Sequence, residues 1–380
     1  MAVMPGADGA LKIIHVFRSP VGGLFRHVAN LARGQSARGH AIGLITDSLT
    51  GGEHAQAVLA ELAPHCALGV TRIPMSRHIG PGDVMAVRHT SRRIAQTGPD
   101  VVHGHGAKGA AYARLARAGR AIRAYTPHGG SLHFEPGTPA GFLYITLEKM
   151  LRARTDLFLF ESEFAQDSFR RLIGEPGATT RIVHNGVGAA EFLDVPLAQD
   201  ATDLLSIGEL RDIKGVDLLL DALAALRANG LALTATIVGE GPARQQFIEQ
   251  AERLGLSESA RFLAPMPARA AFALGRIAVV PSRKESLPYI VLEIAAAGKP
   301  LVATRVGGIP EMFGPQAERL VPPGDSGALA KTLKHSVNHP KSMAAAAGLL
   351  RERIRTSFSL EDMVEGGLSA YRAALAARKS

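Results

Sequence analysis

The sequence predicts an α/β protein made of two doubly wound parallel sheets that face a cleft. Three observations carry that prediction. Short continuous apolar runs alternate with amphipathic stretches of ten or more residues, as parallel strands and crossover helices do. The rhythm restarts after about residue 200, and 380 residues are enough for two separate cores. Polar, glycine-bearing segments follow the apolar runs, at the strand ends where such sheets bind ligands.

In order along the first half, "LKIIHVF" reads as a strand and "LFRHVANLARGQSARG" as a helix. Leu24, Val28 and Leu31 recur there at helical spacing, and Gly34 is expected to stop the helix. "AIGLITD" and "DVVHGH" are strands, "AAYARLARAG" a helix and "AIRAYTPHGG" a strand with its following loop. "NGVGAAEFLDVPLAQDATD" has the Gly, Pro and Asp content of a linker. Beyond it come strand "DLLSIGEL", helix "GVDLLLDALAALRANG", strand "LTATIVGEGP", helix "ARQQFIEQAERLG", strand "IAVVPS", helix "PYIVLEIAAAG" and strand "PLVATRVGG". Pro288 suits the first helical position, where its missing N–H costs nothing. A last helix, "SLEDMVEGGLSAYRAALAAR", has Ser359 as its cap. The expected domains are residues 1–190 with the final helix 359–380, and residues 200–358.

Composition narrows the class. Hydrophobic residues make up 46 % and charged residues 20 %, which argues against disorder. The single cysteine, Cys66, excludes an intrachain disulfide and suits a core position in a reducing compartment. No run approaches the ~18 apolar residues that cross a bilayer. The start, "MAVMPGADGALKIIHVF", lacks the pattern of a signal peptide, so a cytoplasmic location is expected. The net charge of +9 is lopsided: residues 1–190 hold 21 Lys and Arg against 13 Asp and Glu, the remainder 22 against 21. A basic half suits either an anionic partner or simply a solvated face. Arg114, Arg117, Arg120 and Arg123 follow one another at intervals of three, which puts at least the first pair on one helical face. An aromatic content of 5 % and the absence of a recognition motif weigh against nucleic acid.

The chemistry concentrates in "SRKESLPYIVLEIAAAGKPLVATRVGGIPE", residues 282–311. Glu285 falls in the loop after a buried strand, and Glu293 two turns into the following helix. The helix start between them is an anion site in waiting. The two carboxylates are either surface charges or the grips for a ligand with hydroxyls at both ends and phosphates between, as in a nucleotide sugar. A glycosidase pair would need the carboxyls ~5–9 Å apart across one bond, which this spacing does not favour. Lys214 is either a solvated turn residue or a phosphate ligand, and Gly22 and Gly23 sit in the loop after the first strand, where a backbone can approach a ligand. No G-x-G-x-x-G is present, against a dinucleotide oxidoreductase. His128 in "TPHGG" lies at a strand end, as a structural or a cleft residue. His103 and His105 share a strand face, but no third ligand stands at matching spacing, so no metal is expected.

Glu285 and Glu293 followed by "AAAGKPLVATRVGGIPE" resemble the E-x7-E signature of the retaining glycosyltransferases of family 4, which have the GT-B fold. "IGELRDIKGVDLLLDAL", "IVGEGP", "PVGGLFRHVANLA", "PDVVHGHG" and "TPHGG" match further landmarks of that family in the right order. The resemblance implies a transferase that moves a hexose from a nucleotide diphosphate sugar to a hydroxyl of a saccharide or lipid-linked saccharide, in cell-surface polysaccharide or lipopolysaccharide assembly. Glu285 would hold donor-sugar hydroxyls and Glu293 the ribose, with Ser286, Leu287 and Tyr289 lining the donor between them. Lys214 would stabilise the leaving diphosphate, the Gly22–Gly23 pair would face it, and His128 would lie by the reacting sugar. The family often has an arginine where this chain has Glu209, and Arg211 is the nearby guanidinium that could substitute. No cofactor or metal is implied. A basic N-terminal face would suit an anionic membrane surface at the inner leaflet. A nucleotide-sugar epimerase or a phosphorylase on a related scaffold, or a non-catalytic sugar-nucleotide sensor, would fit the same fold.

Overall fold

A computed structural model describes residues 9–133 and 137–379. The first eight residues of the stretch read above for a signal peptide lie outside the described residues. The chain divides into two compact units, one ending at Asn185 and resuming at Leu360, the other spanning Gly186–Ser359. Of residues 185–203, expected as a linker, all but Asn185 belong to the second unit, where they include a 3-10 turn at Ala189–Phe192 and run into a strand that begins at Thr202.

The first unit holds seven strands: β1 (Lys12–Phe17), β2 (Ala41–Asp47), β3 (Gly69–Ile73), β4 (Val101–His105), β5 (Ile122–Thr126), β6 (Leu157–Phe160) and β7 (Thr179–Ile182). They form one parallel sheet in the order β3-β2-β1-β4-β5-β6-β7. The second unit holds β8 (Thr202–Ile207), β9 (Ala235–Val238), β10 (Ala260–Leu263), β11 (Gly275–Val280) and β12 (Leu301–Ala303), parallel in the order β10-β9-β8-β11-β12. Both orders reverse direction once, between β1 and β4 and between β8 and β11. Each reversal splays the loops on either side of it and opens a crevice at the carboxyl ends of the strands.

Successive side chains alternate between the two faces of a strand. Ile13 and Phe17 of β1 face a core shared with Phe25, Val28 and Leu31 of the helix Gly22–Ala37 and Val364, Leu368 and Tyr371 of the last helix, Leu360–Lys379. Ile14 and Val16 face the opposite core with Val102 and Tyr112. Cys66 is buried in the first of these cores.

Three local expectations are corrected. Gly34 does not stop the first helix, which runs on to Ala37 and is followed by Gly39 at φ +84°. A Cβ on Gly34 would stand 2.5 Å from Val364 Cγ2, so the glycine is there to let the last helix approach. Gly22 and Gly23 are not in the loop after β1 but are the first two residues of that helix. The arginine face does not exist as a surface: the helix Gly106–Leu115 ends before Arg117, Arg123 lies in β5, and Arg114 is fully buried. Arg114 makes a paired bond to the Glu148 carboxylate at 2.8 and 3.2 Å and lies over the Tyr125 ring at 4.0 Å. Among the described residues, no helix is long and apolar enough to cross a membrane.

Candidate functional site

At the β8/β11 reversal the two strand-end loops are bound to each other. After β8 the chain makes a 3-10 turn, Asp212–Lys214, and passes through Gly215 at φ +71°. A Cβ there would lie 2.0 Å from the Pro281 carbonyl oxygen, so only glycine fits against the end of β11. From the other side the Arg283 amide donates to the Ile213 carbonyl (2.7 Å), and its guanidinium donates to the Asp212 carbonyl (2.7 Å) and to both Asp217 carboxylate oxygens (2.7 and 2.5 Å). Asp217 holds the Arg283 pKa above its usual value.

This clasp brings Lys214 to Glu285, with Nζ donating to Oε1 at 2.7 Å. The Ser282 hydroxyl donates to the same oxygen at 2.7 Å, and Thr304 Oγ1 fixes the Ser282 carbonyl at 2.6 Å. Glu285 is 7 % exposed, and its backbone is pressed against Gly307, where a Cβ would meet the Glu285 carbonyl at 2.3 Å. Oε1 thus takes two donors, leaving Oε2 for a hydroxyl, while Lys214 keeps two further N–H donors. The helix Tyr289–Ala296 follows, with Pro288 at its cap position rather than as its first residue. Glu293 is half-buried in its second turn. Leu287 and Tyr289 send their side chains into the apolar core, so their contribution to a ligand would come from the backbone. Arg211 pairs at 3.6 Å with Glu209, the residue at the place it was expected to cover.

The β1/β4 reversal is lined differently, by imidazoles. His15 sits opposite His103 in the sheet register, and both share the face of Ile13 and Phe17. His105 follows on β4, His27 comes from the helix Gly22–Ala37, and His128 from the turn after β5. His15 Nε2 meets Gln35 Oε1 at 2.9 Å, His15 Nδ1 meets His105 Nε2 at 2.9 Å, and His105 Nδ1 meets His128 Nε2 at 3.1 Å. His103 is held by the Tyr371 hydroxyl (2.7 Å) and Thr126 Oγ1 (2.9 Å), and His27 by Asn185 (2.9 Å). Burial lowers His15 to a pKa of about 4 and His27 to about 3, and drives His103, His105 and His128 well below the ordinary value. All five are neutral at pH 7.

A pair of sequence models covers most of the chain. One, described as "Glycosyltransferase Family 4", matches residues 21–191, and one described as "Glycosyl transferases group 1" matches residues 201–339. The chain belongs to the family 4 glycosyltransferases, with the GT-B fold.

A glycogen synthase of Mycobacterium tuberculosis is 27 % identical to this glycosyltransferase over 93 % of the chain and 92 % of its own length. A D-inositol 3-phosphate glycosyltransferase of Saccharomonospora viridis is 30 % identical over 63 % of the chain and 61 % of its own length. Sucrose-phosphate synthase of Thermosynechococcus elongatus superposes with a TM-score of 0.81 at 19 % identity, covering 97 % of this chain and 100 % of that one, a likeness of fold.

Of the residues singled out from the glycosyltransferase sequence, folding joins Lys214 to Glu285 and sets Glu293 on the next helix. It places His128, Gly22 and Gly23 in the other unit. Ser282, Arg283 and Asp217, which hold the Lys214–Glu285 pair, gave no signal beyond being polar. His15 did carry one: a histidine in the middle of an apolar strand is a buried polar group that must find a partner. The third imidazole that spacing did not offer beside His103 and His105 is supplied by folding, since the ligand atoms of His15, His103 and His105, and of His27, His105 and His128, lie within 4.8 Å of one another.

Proposed function

We propose that this glycosyltransferase is a retaining hexosyltransferase that uses a nucleotide diphosphate sugar. The observation that carries the donor assignment is the Lys214–Glu285 pair, held at 2.7 Å where the β8 and β11 loops meet. A lysine bonded to the loop that leads into the helix Tyr289–Ala296 would put positive charge where a leaving diphosphate develops negative charge. Glu285 accepts hydroxyls of the sugar, and Glu293, deeper in the helix, accepts those of the ribose. His128, in the first unit, hydrogen-bonds a sugar hydroxyl. The acceptor is a hydroxyl of a saccharide or a lipid-linked saccharide in cell-surface polysaccharide assembly.

Peripheral attachment to an anionic membrane is part of the same reading. The helix Pro139–Arg152 supports it, with exposed Phe142, Leu143 and Met150 beside exposed Lys149, in the half of the chain that carries the basic excess.

Thermal-shift measurements against UDP-, GDP-, ADP- and TDP-sugars test the donor site. One donor should raise Tm in the wild type and fail to do so in Glu293→Ala. A folded wild type that responds to none of them would rule out the donor site drawn here. The anomeric configuration of the product, read by NMR, decides retention.

A further inference from the structure

The histidines at the β1/β4 reversal form an ordered chain. A neutral imidazole has one N–H and one lone pair, so a hydrogen bond on one nitrogen dictates what the other can do. Gln35 Oε1 can only accept, so His15 Nε2 carries the proton and His15 Nδ1 presents its lone pair. His105 then donates from Nε2 to His15, and its Nδ1 accepts from His128 Nε2. The direction set at Gln35, fully buried, is passed through two rings to half-buried His128.

The backbone independently holds His128 in place. His128 is the one non-glycine among the described residues with a positive φ, +51°, and Gly129 and Gly130 follow at +75° and +28°. A Cβ on Gly130 would stand 3.1 Å from the Ala107 amide nitrogen, so the turn is packed onto the helix that follows His105. A left-handed histidine is strained and persists only where the surroundings hold it.

We propose that Gln35 is a positioning residue: through His15 and His105 it holds His128 in the tautomer protonated on Nε2, so that His128 offers the Nδ1 lone pair to a sugar hydroxyl. The inference rests on the reading that His128 hydrogen-bonds a sugar hydroxyl, and it deepens that reading. The group opposite His128 is a hydrogen-bond donor, a hydroxyl, and not a phosphate oxygen, which a lone pair would repel. The alternative use of these rings, as a metal centre, would take the nitrogen lone pairs that now accept the His15–His105 and His105–His128 hydrogen bonds and so would break the chain.

The test uses the full chain labelled with 15N-histidine. Two-bond 1H–15N spectra report the tautomer of each ring, and His128→Gln assigns the His128 signals. The wild type should show His128 protonated on Nε2. In Gln35→Met the Nδ1-protonated form should appear, kcat should fall roughly three- to thirtyfold, and KM for the donor should stay within about twofold. Gln35→Glu at pH 8, which keeps an acceptor oxygen for His15, should restore both the tautomer and kcat. His128 protonated on Nδ1 in the wild type overturns the proposal, as does an unchanged His128 tautomer in folded Gln35→Met. Stoichiometric uptake of Zn2+ with loss of the His15–His105 bond would also overturn it. Because the spectra need no substrate, a shifted tautomer with unchanged kcat would leave the histidine chain standing. It would overturn the role of Gln35 in the reaction and the placement of His128 at the sugar.

Discussion

The two sheets reverse direction in the same way and fill the crevice with opposite chemistry. At the β8/β11 reversal the groups are charged, sit on loops, and are positioned by glycines that admit close backbone contact and by the Arg283 clasp. At the β1/β4 reversal they are neutral, and three of them, His15, His103 and His105, sit on the strands themselves. A site that must answer a diphosphate needs net charge and room for a ligand to displace bonds. A site that must hold one ring in one protonation state needs rigid partners and the exclusion of charge. One topology supports both because it fixes only where side chains converge.

The same contrast runs through the two ion pairs. Lys214–Glu285 leaves the lysine partly open to solvent, whereas Arg114–Glu148 is closed to it. The largest expected effect is on catalysis. Lys214→Ala should lower kcat about 10²–10³-fold, the scale seen when a group stabilising developing charge is removed, with the fold retained. If Lys214→Ala kept wild-type kcat, the second unit would not hold the reacting diphosphate.

Arg114→Gln should do the reverse. Removing the cationic partner of the buried Glu148 carboxylate should cost about 3–5 kcal/mol and lower the thermal midpoint by roughly 10–15 °C, with kcat of the folded fraction little changed. Thermal melts read beside initial rates at low temperature separate the two outcomes.

A smaller effect tests the neutral character of the histidine site. His15 has a folded pKa of about 4 against an ordinary value of 6.5, so between those values the unfolded chain binds more protons. Stability is therefore complete above about pH 6.5 and is lost as pH falls toward 4, by up to about 3 kcal/mol from His15 alone. His27, lowered to about 3, extends the loss further down. Melting curves from pH 8 to pH 4 should show Tm constant at the alkaline end and falling below pH 6.5. A flat profile would mean these rings are not buried in the neutral form.

The fold was legible because strand and helix periods differ and the apolar runs of parallel sheets are continuous. β1, β2, β4, β5, β9 and β12 fall within the segments read as strands, and β8 and β11 begin one and two residues before theirs. What was misread depended on contacts with distant parts of the chain. Gly34 looks like a helix stop until Val364, 330 residues later, is packed against it. Arg114 looks like a surface charge until Glu148 arrives from another helix. Glu285, Glu293 and Lys214 were visible as motif residues. The histidine chain was not, because the facing of His15 and His103 is a matter of strand register, and the sequence of one strand does not state its neighbour's. Gln35 had no motif at all and is visible only through the ring it touches.

The most direct test of this division of labour is calorimetric titration of the full chain with the nucleoside diphosphate of the donor that stabilises it. Lys214→Ala should weaken binding at least about tenfold, the loss of one charge-assisted contact, while His128→Ala should change it by no more than about two- to threefold. Loss of affinity in His128→Ala with none in Lys214→Ala would contradict the account, because it would put the diphosphate at the histidines and not at the charged loops of the second unit.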